Sequence, residues 1–213
     1  MAPTPLFTLE DYLAGENAGR DGRHDFLEGR RYPRARPSAA HRHLADALGT
    51  RLRAHLRHDA SYVFTGGIRI RVPDFDAVYY ADAAVAVDPT YQEGTFVKVP
   101  ILAVDIFAAG APGPNRMRRL AHYLSLESLR QYVLLAPHQM SAMVYSRDDE
   151  ENAWYQEAIG VGDILHLTSV SLAVPLDALY EGAADLGEAP PMQTPGLDAE
   201  TGRLIFPWET DES

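Results

Sequence analysis

Apolar and polar positions alternate along this chain in patterns that predict a series of helices and strands. A buried helical stripe repeats every four positions, and it predicts a helix that runs from an N-cap at Ser38 to about Leu56 through Leu44, Leu48 and Leu52. Strict alternation of apolar residues with arginines predicts a strand over Gly67–Val72. Both patterns indicate elements with one buried face.

Weaker patterns predict the remaining elements. We expect a short helix capped by Thr8, a second helix that ends near Leu124, and a breaker segment over Ala108–Asn115 that precedes this second helix. The predicted strands and hairpins are Arg23–Tyr32 with its bend at Gly29, Tyr62–Phe64, Tyr132–Leu135, Ser141–Tyr145 with Ala153–Ala158, and a last short element at Val174–Tyr180. The first helix is expected to span Thr8–Ala14.

Two of the most apolar strands each carry one carboxylate. Val99–Phe107 contains Asp105, and Ala81–Val87 contains Asp82. A buried charge is costly unless a cation or hydrogen bonds compensate for it. The pair therefore predicts two carboxylates that converge on a cation.

The order of elements predicts an α/β fold with helices packed on a central mixed sheet. The strand–loop–helix–strand unit of Val99–Leu135 is typical of a parallel crossover. We expect one domain over residues 1–182, followed by an acidic tail rich in proline and glycine over residues 183–213. Leu204–Trp208 is the part of this tail that could dock on the domain.

Composition narrows the function classes. The chain has 213 residues and no cysteine, which excludes thiolate metal sites and cysteine nucleophiles. With neither a signal-peptide pattern nor an apolar run long enough to span a bilayer, a cytoplasmic protein is expected. The net charge is −11, yet residues 20–57 hold ten arginines against four acids. This arginine-rich region is a candidate DNA-binding face on an acidic protein.

Several segments, in their order along the chain, resemble the Uma2-like (DUF820) endonucleases of the PD-(D/E)XK nuclease superfamily. They are HDFLEG (His24–Gly29), AAHRHLADALGTRL (Ala39–Leu52), YADAAVAV (Tyr80–Val87), VDIFAAGA (Val104–Ala111), NRMRRLAHY (Asn115–Tyr123), RQYVLLAP (Arg130–Pro137), GDIL (Gly162–Leu165) and VPLDALYEG (Val174–Gly182). The resemblance implies a restriction-endonuclease-like core with a central mixed β-sheet flanked by helices. It also implies metal-dependent hydrolysis of DNA phosphodiesters, with a homodimer as the expected assembly.

The resemblance assigns the site residue by residue. It implies Mg²⁺ (or Mn²⁺) held by Asp82, Asp105 and the backbone carbonyl of Ile106, with Asp25 as an outer acid. Arg119 falls where the family has its lysine and would neutralise phosphate charge. Asn115 falls on the aspartate of the same motif.

Departures from the family pattern predict a weakened site. Asp25 and Asp105 replace glutamates, Ala81 replaces the proline of PD, and Arg119 cannot take a proton from water as a lysine could. Lys98, the only lysine of the chain, lies at the far end of the strand that carries Asp105. The alternative is therefore a catalytically silent nuclease fold that binds DNA or protein.

Other interpretations of single residues stay open at this point. Asp82 could face solvent at a strand edge, and Asp105 could form a purely structural pair with Arg119. Glu28 instead of Asp25 could be the outer acid. His41 matches a histidine of the family, but its place on a helix favours a surface position.

Overall fold

The computed structural model describes residues 6–19, 22–87, 96–107, 116–148 and 150–183, and the backbone of 196–197 and 204–205. The helices are α1 Leu9–Ala18, α2 Ala39–His55, α3 Arg116–Leu124 and α4 Leu176–Tyr180. The strands are β1 His24–Leu27, β2 Arg30–Pro33, β3 Tyr62–Val72, β4 Ala77–Ala86, β5 Pro100–Ile106, β6 Gln131–Leu135, β7 Ala142–Arg147, β8 Trp154–Ile159, β9 Ile164–Leu167, β10 Leu172–Pro175, β11 Gly196–Leu197 and β12 Leu204–Ile205.

Side-chain caps fix where the first two helices begin. Thr8 accepts a hydrogen bond from the Asp11 amide while the Asp11 carboxylate accepts one from the Thr8 amide, which is a capping box. Ser38 caps α2 through the His41 amide, as predicted. The helix α1 runs to Ala18, four residues past the predicted Ala14, and is followed by Gly19, whose φ of 63° suits a left-handed C-cap.

In the described part of the chain the main sheet has eight strands, and β4 pairs with three of them. The strands follow the order β2-β1-β4-β5-β6-β7-β8, with β3 also paired to β4. Because β3 runs along nearly the whole of one edge of β4, β1 and β5 must share the other edge. β1 pairs at Ala77 and Val78, whereas β5 pairs only from Ala83 onward, so residues 79–82 of this edge lie in a gap.

The strand β3 is continuous where the sequence predicts two separate strands. Its register against β4 shifts between Thr65 and Ile68, so that Gly66 and Gly67 both lie opposite Asp82. Their φ values of 83° and 84° are in the left-handed region, which glycine enters without a steric penalty. The two glycines keep the strand in one piece through this bulge.

The sheet separates two apolar layers. Leu120 and Tyr123 of α3 pack with Tyr132 and other residues of the sheet on one face, and Leu48 of α2 packs with Leu179 of α4 on the opposite face. The parallel pairing of β5 with β6 confirms the predicted crossover. The architecture is the predicted α/β class with a central mixed sheet and flanking helices.

Outside the main sheet, β9 and β10 form a two-stranded sheet that the sequence did not predict. Strands β11 and β12 pair with each other, and β12 lies beside β8. The predicted breaker Ala108–Asn115, and the predicted docking segment apart from β12, lie outside the described residues. No helix within the described parts of the chain is long and apolar enough to cross a membrane.

Candidate functional site

Side chains occupy the gap along the edge of β4 and form hydrogen bonds with its backbone amide and carbonyl groups. The Tyr80 amide donates to Oδ1 of Asp25 at 2.9 Å. The Tyr80 carbonyl accepts from two guanidinium groups, those of Arg34 and Arg119. The charged groups therefore take the role that a neighbouring strand would have, and they are held in place by the main chain of β4.

Asp82 spans the gap between β4 and β5. Its Oδ2 accepts a hydrogen bond of 2.8 Å from the Ile106 amide, and its Oδ1 lies 2.9 Å from Nε2 of His41 in the first turn of α2. Asp82 is buried, which corrects the alternative that it faces solvent at a strand edge. Because Ile106 follows Asp105, the contact brings the two acid-bearing strands together at their acids.

Asp105 is fully buried beneath helix α3. Its Oδ1 accepts from Nη2 of Arg119 at 2.8 Å, and its Oδ2 accepts from the Tyr132 hydroxyl at 2.6 Å. The carboxylate thus has one charged and one neutral donor, and both come from elements that the crossover places beside β5. This is the buried ion pair that the sequence left open for Asp105.

Arg119 is the cation between two of the acids. Nη1 donates to Oδ2 of Asp25 at 3.0 Å while Nη2 serves Asp105 and the Tyr80 carbonyl. The guanidinium carbon also lies over the rings of Tyr79, Phe107 and Tyr123, at 4.9, 5.3 and 5.4 Å from their centroids. With only 2% of its side chain exposed, Arg119 is enclosed on every side.

The environment moves the pKa values of the two central acids in opposite directions. Burial raises the pKa of Asp105, and the guanidinium of Arg119 opposes that shift only in part. Burial also acts on Asp82, but the His41 hydrogen bond and the Arg34 charge outweigh it and lower the pKa of Asp82. Burial disfavours the charged form of Arg119 as well; Asp105 next to it nevertheless raises the pKa of Arg119 well above its ordinary value. Arg119 therefore stays protonated.

The structure brings together Asp25, Asp82, Asp105 and Arg119, the four side chains that the sequence singles out. Glu28, the alternative outer acid, lies exposed in the turn between β1 and β2. Asn115 is outside the described residues. The predicted role of each residue stays a prediction.

The surface position expected for His41 is wrong. Its imidazole turns inward to Asp82, and only 17% of its side chain is exposed. Sequence reasoning also missed Arg34, Tyr80 and Tyr132. The spacing of residues does not reveal these partners, because each meets an acid on a different element. The match of His41 to the family histidine is the signal in the sequence that points to this contact.

The described residues offer a divalent cation only a small number of carboxylate ligands. Within the described residues no group of three histidine or acidic side chains is placed to hold a metal ion. A carboxylate offers about four lone-pair positions, and Asp82 and Asp105 each use two of them in hydrogen bonds with described residues. Mg²⁺ is commonly bound by only one or two carboxylates together with water and substrate phosphate. Asp82 and Asp105 therefore fit Mg²⁺ as a site with two protein carboxylates.

Residues 9–176 match the family model of Uma2, which is described as "Putative restriction endonuclease". The chain belongs to the Uma2 family. A solved structure described as "a putative nuclease belonging to DUF820 from Anabaena variabilis ATCC 29413" has a similar fold, with a TM-score of 0.61 and 12% sequence identity. The similarity covers 78% of this Uma2 chain and 96% of that chain. No curated protein matches the chain. The expected family and fold class are thereby confirmed.

Proposed function

We propose that the chain is a DNA endonuclease that hydrolyses phosphodiester bonds with a divalent cation held by Asp82 and Asp105. The hydrogen bond from the Ile106 amide to Asp82 is the observation that carries this proposal. It joins the acid of one strand to the residue that follows the acid of the next strand. Membership of a family described as "Putative restriction endonuclease" supports the same activity.

The proposed ligands of Mg²⁺ (or Mn²⁺) are the carboxylates of Asp82 and Asp105 and the backbone carbonyl of Ile106. The amide and the carbonyl of an extended residue point toward the same neighbouring strand, and the Ile106 amide points to Asp82. The Ile106 carbonyl is therefore expected on that side too. Asp25 is the outer acid. The ion, when bound, supplies an activated water and a Lewis acid for the phosphate.

The charges of the site favour a phosphodiester only after a divalent cation is bound. Among the described residues, three carboxylates face two guanidinium groups, those of Arg34 and Arg119, so these groups carry about one net negative charge when His41 is neutral. Two added positive charges reverse this sign. One phosphodiester, with its single negative charge, then neutralises the site.

Arg119 is a positioning residue in this proposal. Its Nη1 and Nη2 are committed to Asp25, Asp105 and the Tyr80 carbonyl, and its protonated guanidinium cannot accept a proton. It fixes the rotamer of Asp105, and thereby the direction in which the carboxylate presents its remaining lone pairs. The lysine of the family pattern would add a titratable amine, which this chain lacks at the position.

We place the DNA on the arginine-rich region of residues 20–57, since this region contributes Arg34 and His41 to the site. Arg23, Arg36 and Arg42 are exposed in the same region. Backbone phosphates are bound chiefly by such side chains, largely without regard to sequence. A homodimer would present two such sites for the two strands of a duplex.

Cleavage of supercoiled plasmid in Mg²⁺ or Mn²⁺ tests the proposal. Wild-type protein is expected to nick and linearise the plasmid, and EDTA is expected to stop this. Asp82→Asn should abolish cleavage, whereas Asp46→Asn, the same chemical change at an exposed position of α2, should leave it intact. Cleavage that persists in Asp82→Asn would refute the assignment of the ligands.

A catalytically silent, DNA-binding protein is the second candidate. The observation that favours it is the burial of Arg119, whose side chain is 2% exposed and whose Nη1 and Nη2 donate to Asp25 and Asp105, so that a substrate does not reach this cation. The same plasmid distinguishes the two candidates. Retarded migration of the plasmid without any cut in Mg²⁺ or Mn²⁺ would favour the silent protein over the nuclease.

A further inference from the structure

The two arginines of the site are bonded in different ways. Arg119 donates to Asp25, Asp105 and the Tyr80 carbonyl, and it is sealed below α3. Although its Nε has no hydrogen-bond partner, that atom is buried as well. Arg119 therefore has no donor that a DNA strand at the surface could reach.

Arg34 reaches the same acids from the outer side. It follows β2 directly, and its backbone amide donates to the Arg23 carbonyl at 2.9 Å, which extends the hairpin of β1 and β2. Its side chain is 18% exposed, against 2% for Arg119. Arg34 thus has a fixed backbone and a side chain that links the site to the surface.

Only one hydrogen bond ties the guanidinium of Arg34 to the described part of the site. Nη1 donates to the Tyr80 carbonyl at 2.5 Å. The carboxylates of Asp25 and Asp82 lie 3.6 and 3.8 Å from Arg34 nitrogens, which is beyond hydrogen-bond distance. Nη2 and Nε of Arg34 donate to none of the described residues. Neither atom is among the buried nitrogens that lack a hydrogen-bond partner. Two N–H bearing atoms are left for a ligand.

We infer that Arg34 binds a backbone phosphate of DNA at the opening of the site. This inference rests on the proposed endonuclease function and names the side chain that recognises its substrate. A guanidinium presents parallel N–H groups that match two phosphate oxygens. Because Arg34 also lies beside Asp82, a proposed metal ligand, the bound phosphate would be next to the reacting centre. The role of neutralising phosphate charge, which the family resemblance implies for Arg119, passes to Arg34.

Binding of a labelled 20-base-pair duplex, followed by fluorescence anisotropy, tests this assignment. Ca²⁺ is used as an oxygen-binding cation, and a parallel series in EDTA reports binding without metal. Arg36 supplies the matched control, because it is exposed two residues further on and has no bond to the acids. Arg36→Ala should weaken binding by no more than about threefold, as expected for one peripheral phosphate contact.

Arg34→Ala is expected to raise the dissociation constant in Ca²⁺ by about tenfold or more, because it removes a two-bond phosphate contact. Arg34→Lys should be intermediate, since it keeps the charge but loses the paired donors. If Arg34→Ala fails to fold, the comparison of Arg34→Lys with Arg36→Lys still tests the inference. In the cleavage assay, Arg34→Lys should raise KM more than it lowers kcat.

Equal affinities of the Arg34 and Arg36 variants would overturn the inference, while cleavage by wild-type protein would leave the endonuclease function standing. Loss of kcat without loss of affinity in Arg34→Lys would also overturn it, because Arg34 would then act on the acids and not on the phosphate. Absence of both binding and cleavage in wild-type protein would refute the proposed function and the inference together.

Discussion

The carboxylate of Asp82 stands in for a strand partner of Ile106. Pairing of β4 with β5 ends at Ala83 and Val104, and beyond this point the Ile106 amide donates to Asp82 Oδ2 at 2.8 Å. A side chain thus supplies a hydrogen-bond acceptor at the point where main-chain pairing between the two strands ends. The same contact fixes the distance between the two acids on which the proposed chemistry depends.

Replacing Asp82 should affect stability according to its hydrogen bonds. Asp82→Ala leaves the buried Ile106 amide without an acceptor, which should lower the free energy of unfolding by about 1–3 kcal/mol. Asp82→Asn retains an oxygen at this position, so it should keep most of the unfolding free energy that Asp82→Ala loses. Urea denaturation measures both variants. Equal stability of Asp82→Ala and wild-type protein would show that the contact contributes nothing to the fold.

Removing the guanidinium of Arg119 should be far more costly. Arg119→Met leaves Asp25 and Asp105 buried without their cation, and the loss of one partner of a buried ion pair costs about 3–5 kcal/mol. Arg118→Met is the control, because Arg118 is the preceding residue of α3 and is exposed; its effect should stay within about 0.5 kcal/mol. Similar unfolding free energies for both variants would contradict the buried network.

Stability should fall in mild acid because of His122. Burial, with a smaller effect of Arg118, lowers the pKa of His122 to about 4. The ring stacks on Phe75, and its Nδ1 lies 2.9 Å from the Tyr79 hydroxyl oxygen. A histidine with a depressed pKa in the folded state is neutral in both states above its unfolded value of about 6.5. As the pH falls from about 6.5 toward 4, the unfolded state binds the proton first, and stability is lost.

The corresponding variant is His122→Gln, with His58→Gln at an exposed position as its control. Urea denaturation at pH 7 and pH 5 should show that wild-type protein loses about 1–2 kcal/mol more than His122→Gln over this interval. His58→Gln should follow the wild-type protein. A His122→Gln profile parallel to that of wild-type protein would exclude His122 as the source.

Alanine substitutions at the two glycines of the bulge opposite Asp82 should destabilise the protein to different extents. A Cβ at Gly66 would meet open space, so Gly66→Ala adds only the backbone strain of a positive φ, about 1–2 kcal/mol. A Cβ at Gly67 would lie 1.9 Å from Nη1 of Arg23 and force that side chain away from the Tyr80 ring. Thermal unfolding should therefore rank Gly67→Ala below Gly66→Ala, and the reverse order would be incompatible with this packing.

Local features of the fold could be predicted because the sequence encodes them within a few residues. The caps Thr8 and Ser38 bond amides three positions away, and Gly29 lies in the turn of a hairpin that was expected there. The continuity of β3 was missed because two adjacent glycines are typical of a break. Only the pairing with β4 holds the backbone extended on either side of them.

The acids of the candidate site could be predicted from the sequence, but the residues that contact them could not. Asp82 and Asp105 are conspicuous as charges in apolar strands, and that signal is local. The contacts of Asp82 with His41 and of Asp105 with Tyr132 join residues 41 and 27 positions apart. They depend on how helix α2 and strand β6 pack against the sheet, which no short pattern in the sequence specifies.

Asp82 and Asp105 are proposed to bind one divalent cation together, and calorimetric titration with Mn²⁺ measures this binding. Wild-type protein should bind one ion, Asp82→Asn and Asp105→Asn should each abolish this binding, and Asp46→Asn should leave it unchanged. Binding of Mn²⁺ that survives both site substitutions, or the absence of binding to folded wild-type protein, would show that Asp82 and Asp105 do not hold an ion together.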